Sequence, residues 1–67
     1  MRFQFVVGDI IFIFDEEWFE TRVTLVQDGA LTCECAGQGF FVSASRVTFD
    51  DDSGNYQFIR AGTPLAN

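Results

Sequence analysis

Apolar residues in this chain recur at alternate positions or in short unbroken runs, and nowhere do they hold a sustained 3.6-residue stripe. That pattern predicts strands throughout. Phe3, Phe5 and Val7 alternate with Arg2, Gln4 and Val6 until Gly8-Asp9 interrupts. Residues 10–14 are apolar at every position, which predicts a strand buried on both faces. Asp15-Glu16-Glu17 reads as an acidic loop. The longest strand candidate is 18–27, where alternation sets Phe19, Thr21, Val23 and Leu25 on one face. Trp18, Glu20, Arg22, Thr24 and Val26 fall on the other.

Asp28-Gly29 predicts a two-residue hairpin, since both central positions of a type I′ turn need positive φ. Leu31, Cys33 and Cys35 then share a face opposite Thr32, Glu34 and Ala36. Gly37-Gln38-Gly39 reads as a second turn leading into a strand at 40–43. Ala44-Ser45-Arg46 suits a single 3₁₀ turn. A brief strand at 47–49, a solvated loop from Asp50 to Gly54 and a last strand at 56–60 follow. The expected organisation is one domain over 1–60 and a frayed tail over 61–67.

This order of pieces resembles the Src-homology-3-like small barrel, in its Tudor-type variety. The residues that carry the resemblance are Val7-Gly8-Asp9-Ile10-Ile11, Trp18-Phe19-Glu20-Thr21-Arg22-Val23, Gly39-Phe40-Phe41-Val42 and Ser45-Arg46-Val47. It spans about residues 5–49 and rests on strand spacing. It implies an all-β, single-domain Src-homology-3-like (Tudor-like) barrel of five to six strands. For Tudor-type domains it also implies an aromatic cage, in which ring faces and a carboxylate enclose a methylated cation. Trp18 or Phe19, with Phe12, Phe40 or Phe41, would form such a cage, and Glu16, Glu17 or Glu20 would supply the carboxylate. Core is the ordinary destination of phenylalanines at alternating strand positions. Trp18 stands apart, beside the acidic loop on the face of Glu20 and Arg22.

Composition changes the picture in two ways. Nine Phe, one Trp and one Tyr among 67 residues exceed what one small barrel hides, so a homodimer or a partner-dependent fold is expected. Ten acidic residues face only four basic ones, Arg2, Arg22, Arg46 and Arg60, for a net charge of −6. Direct nucleic-acid binding is disfavoured, because that affinity comes from cations displacing counterions. A negative field favours basic protein surfaces instead, including the grooves of nucleic-acid-binding proteins. It also serves simply to keep an apolar little domain soluble.

Candidate chemistry is sparse. The chain has neither His nor Lys, so the usual general acids and bases are missing and a non-catalytic protein is expected. Cys33 and Cys35 on one strand lie about 6.5 Å apart along it, awkward for a disulfide and too few for zinc, so two buried apolar residues are expected. Asp50, Asp51 and Asp52 are consecutive and cannot all face one ion, unlike a calcium loop. No cofactor and no metal are expected. The absence of a leader-like segment, of a long apolar run and of disulfide spacing suggests a cytoplasmic setting without membrane contact.

The expected function is that of a small acidic inhibitor or adaptor, of the kind encoded by phages and mobile elements, docking on a basic partner protein. Asp15, Glu16, Glu17, Trp18, Glu20, Phe41, Asp50, Asp51 and Asp52 are the candidate partner-binding residues, with the two acidic clusters imitating a run of phosphates. A Tudor-like reader of methylated or cationic peptide, or a homo-oligomeric structural subunit, are the alternatives.

Overall fold

The computed structural model describes residues 4–60. Among these, six strands lie in one sheet: β1 (Ile10–Asp15), β2 (Glu17–Gln27), β3 (Ala30–Cys35), β4 (Gln38–Ser43), β5 (Thr48–Asp50) and β6 (Asn55–Ile59). A 3₁₀ turn, Ala44–Arg46, stands between β4 and β5, as the sequence suggests. The hydrogen-bonded order is β4-β3-β2-β1-β6-β5. β1 to β4 form an antiparallel meander, β5 and β6 a hairpin, and β6 joins β1 in parallel.

The all-β expectation holds, but the sheet does not close into a barrel. Among the described residues its edge strands are β4 and β5. An open seam of about 510 Å³ lies between β4 and β6, lined by Phe40, Val42, Arg46, Phe58 and Arg60. The sheet nonetheless curls strongly, because Val42 of β4 and Phe58 of β6 meet in one cluster with Ile11, Ile13, Val23 and Leu31. Part of the curl has a local cause. The β2–β3 register shifts between Val23 and Leu25, leaving Thr24 as a bulge, and bulges sharpen twist.

The bulge also overturns the simple alternation read along β2. Leu25 pairs with Thr32 on the outer face, whereas Val26 pairs with buried Leu31 on the concave side. Two turns are tighter than the sequence suggested. Asp15 pairs directly with Glu17, so the acidic loop is a one-residue reversal at Glu16, whose φ is 68°. The β3–β4 hairpin turns at Ala36-Gly37, with φ of 52° and 80°, and Cys35 opposes Gln38. Gln38 and Gly39 therefore belong to β4. Residues 4–7 form no strand; instead the Gly8 N–H donates to the Val23 carbonyl at 2.9 Å. Phe3, Arg2 and the tail at 61–67 lie outside the described residues.

The core differs in character from the sequence expectation. It is mostly aliphatic, built on Ile11, Ile13, Val23, Leu31, Val42 and Val47 with Cys33. Of the described phenylalanines only Phe5 and Phe58 are buried. β-branched side chains fit a tightly curved inner face, and the larger rings are left to its rims and outer surface. β1, apolar from Ile10 to Phe14, buries Ile11 and Ile13 but only half-buries Ile10, Phe12 and Phe14. It is covered on one face, not two.

Among the described residues Thr21 is the one polar side chain buried in the core, and its hydroxyl donates to the Ile11 carbonyl at 2.6 Å. Thr21→Val keeps the shape and removes the donor, so a loss of about 1 kcal/mol is expected in urea denaturation. An unchanged midpoint would show that the hydroxyl contributes nothing beyond its volume.

Candidate partner-binding surface

Strand register assembles the outer face. Phe14 lies opposite Trp18 on β2 and beside Ile59 on β6. The next row runs from Glu20 through Phe12 to Gln57, and the row after it pairs Ile10 with Arg22. These side chains point away from the core because their neighbours Ile11 and Ile13 point into it. The Phe14 and Trp18 rings meet edge to face at 5.1 Å. Trp18 keeps 46% of its surface exposed and Ile59 41%. All described strands belong to the single sheet, so no second layer of strands covers this row.

Carboxylates rim the row. Glu20 is exposed on the Trp18 face and Glu16 at the turn beside it, whereas exposed Glu17 alternates to the Phe19 face of β2. Asp15 is half-buried and accepts a hydrogen bond from Arg60 Nη1 at 2.6 Å, so its charge is partly neutralised. A shallow hollow beside the Glu16 turn is lined by Glu17, Phe19, Cys35 and Phe40. Phe19 and Phe40 lean together there, 6.5 Å between centroids.

The remaining candidate residues are placed elsewhere. Because β6 runs parallel to β1, the Asp50–Asp52 turn sits at the opposite end of β1 from Asp15. Five residues at ~3.3 Å each put roughly 16 Å of strand between the two ends. Asp50 also has a local task. Its carboxylate accepts from the N–H groups of Asp52 and Ser53 and from Gln57 Nε2, all at 3.3 Å. The Ser53 side chain foremost, with these backbone donors, holds its pKa below the ordinary carboxylate value. Asp51 and Asp52 are exposed in the same turn.

Phe41 is 86% exposed on β4, opposite Thr32, whose other neighbour is Leu25. That makes a second row across β2, β3 and β4, with Phe41 three strands from β1. Of the rings named for a cage, Phe19 and Phe40 meet beside Glu17, and Trp18 and Phe41 do not join them. Trp18 and Phe19 take opposite faces of β2, and Phe40 and Phe41 opposite faces of β4. The ring that does meet Trp18 is Phe14, which the sequence reading passed over. The one-residue reversal at Glu16 makes Phe14 and Trp18 direct partners, which a reading of Asp15-Glu16-Glu17 as a loop does not show.

Both cysteines are free thiols. Cys33 is buried and Cys35 half-buried. Burial pushes the Cys33 thiol pKa up, with a smaller opposing pull from the Thr21 hydroxyl. Among the described residues no cluster of His, Cys, Asp or Glu is placed to hold a metal ion, and no helix is long and apolar enough to cross a membrane. No family model matches the chain, and no curated protein or solved structure matches it either.

Proposed function

We propose that this protein is a non-catalytic binding module, an inhibitor or adaptor that docks its outer sheet face on a basic surface of a partner protein. One observation carries the reading: the Ile59–Phe14–Trp18 row, which no second layer of strands covers among the described residues, is apolar at its centre and flanked by Glu16 and Glu20. An exposed apolar patch with a polar rim is a common mark of an interaction site. In such a patch the aromatic anchor supplies most of the affinity, while the carboxylates steer a cationic partner into place. Mimicry of nucleic acid then rests on the Glu16–Glu20 side alone, since Asp50–Asp52 lies at the far end of β1. The Src-homology-3-like kinship remains part of this proposal. A long bulged second strand and a 3₁₀ turn before a short strand support it, with the barrel left open at the β4 seam.

Capture from host lysate with wild type, Trp18→Ala and a Glu16, Glu17, Glu20→Gln variant as parallel baits tests the reading. A partner with a basic surface is expected to be held by wild type and lost with either variant, and to elute as salt rises. Retention by the glutamine variant at high salt would sink the acidic-rim account. A second reading is favoured by the edge-to-face Phe14–Trp18 pair beside Glu20, which suits a methylated cation. Under it, Trp18→Ala abolishes binding of a trimethyl-lysine peptide and the glutamine variant only weakens it.

A further inference from the structure

The β4 edge is the surface with the least explanation. In the β3–β4 hairpin Cys35 and Gln38 flank the two-residue turn and so exchange backbone hydrogen bonds, and bonded pairs then alternate along the ladder. The Ala44 N–H, which donates to the Gly29 carbonyl at 2.7 Å, falls in the same series and fixes the parity. Gln38, Phe40, Val42 and Ala44 therefore turn their N–H groups toward β3. Gly39, Phe41 and Ser43 turn theirs, with their carbonyls, away from it. No backbone bond to these three groups exists among the described residues.

Free edges are ordinarily blunted by charge, proline or brevity. β5 is short, only three residues, and ends in Asp50. β4 has none of these protections: it reads Gln-Gly-Phe-Phe-Val-Ser over six residues, uncharged, with Phe41 standing out of it.

We infer that β4 is a self-pairing edge, and that two copies of this chain join β4 to β4 antiparallel about a two-fold axis through Phe41. The register is self-complementary. Phe41 opposes Phe41 of the second copy, and Gly39 opposes Ser43, so each outward-turned N–H finds an outward-turned carbonyl. An isologous contact of this kind closes on itself and does not propagate. Charge selects the same place. Two chains of net charge −6 repel, but β4 itself carries no charge, and the charged residues lining the seam at its edge, Asp15, Arg46 and Arg60, are of both signs. On the outer face the Leu25–Thr32–Phe41 row of one copy continues into that of its partner, covering the most exposed aromatic ring of the described residues. This pairing leaves the Trp18 face free and does not depend on the function proposed above.

Amide hydrogen exchange and sedimentation of the full chain, each across a concentration series, test the inference. At low concentration the amides of Gly39, Phe41 and Ser43 are expected to exchange fast while those of Phe40 and Val42 are protected. As concentration rises the first three become protected and the mass doubles. Phe41→Pro, which removes an N–H that the β3 ladder does not use, and Phe41→Lys should both leave a monomer. Thermal melting of Phe41→Lys at low concentration should match wild type, and Trp18→Ala should still dimerise. A monomer at every concentration overturns the proposal, as does a dimer that survives both Phe41 variants or is lost with Trp18→Ala. Protection of the three amides that ignores concentration also overturns it, because another segment of the same chain then occupies the edge.

Discussion

Ile11→Ala is expected to cost about 2–5 kcal/mol, the range for emptying a fully buried aliphatic site. Ile11 has no exposed surface and sits on the central strand, where concave side chains from both ends of the sheet converge. A chain of 67 residues has roughly 3–10 kcal/mol of total stability at ordinary values per residue. The substitution therefore removes much of the margin, and urea unfolding should begin without a clear native baseline. Ile10→Ala is the internal control. Ile10 is half-buried on the outer face, so it should lose no more than about 1 kcal/mol. Equal losses at the two positions would mean that the inner and outer faces of β1 have been exchanged.

Gly29→Val tests the β2–β3 hairpin through backbone conformation. Asp28 and Gly29 have φ of 35° and 81°. Nothing lies within 4 Å of where a Cβ at Gly29 would stand, so packing contributes no penalty. The cost is that of forcing a β-branched residue into the left-handed region, about 1–2 kcal/mol. At ~4–8 °C per kcal/mol for a domain of this size, the melting temperature should fall by several degrees. A neutral outcome would show that the turn relaxes into another type without disturbing the β2–β3 register.

These two positions differ in how plainly the sequence announced them. Asp28-Gly29 is a strong local signal, and the hairpin stands where it was expected. Gly37-Gln38-Gly39 misled by one step, because three turn-prone residues in a row hide which pair reverses the chain. The answer, Ala36-Gly37, places an alanine at positive φ, which propensity disfavours. Thr24 gave no warning of its bulge, since a β-branched residue in an alternating run reads as ordinary strand. The exposed faces of Leu25 and Val26 followed wrongly from it.

The candidate surface was half legible. Alternation put Trp18 and Glu20 on one face correctly. The apolar row through Ile59 was invisible, because it depends on β6 pairing with β1, and no local pattern encodes a contact between segments so far apart. Acidic residues carried no information about distance either. Asp50 turned out to hold its own turn together, as a buttress for Asp52 and Ser53.

The parallel union of β1 and β6 has a kinetic consequence. The meander from β1 to β4 is a chain of short hairpins, each formed between near neighbours within microseconds. Ile11 instead meets Tyr56, and Asp15 meets Arg60 across 45 residues. Loop closure over that separation must be completed before any of its contacts are gained. The docking of β6 is thus expected to be the slow step of folding, in the millisecond-to-second range typical of non-local β topologies. Until it happens, β1 is a bare edge with apolar side chains on both sides. The same strand that organises the finished sheet is, for that interval, its most aggregation-prone segment.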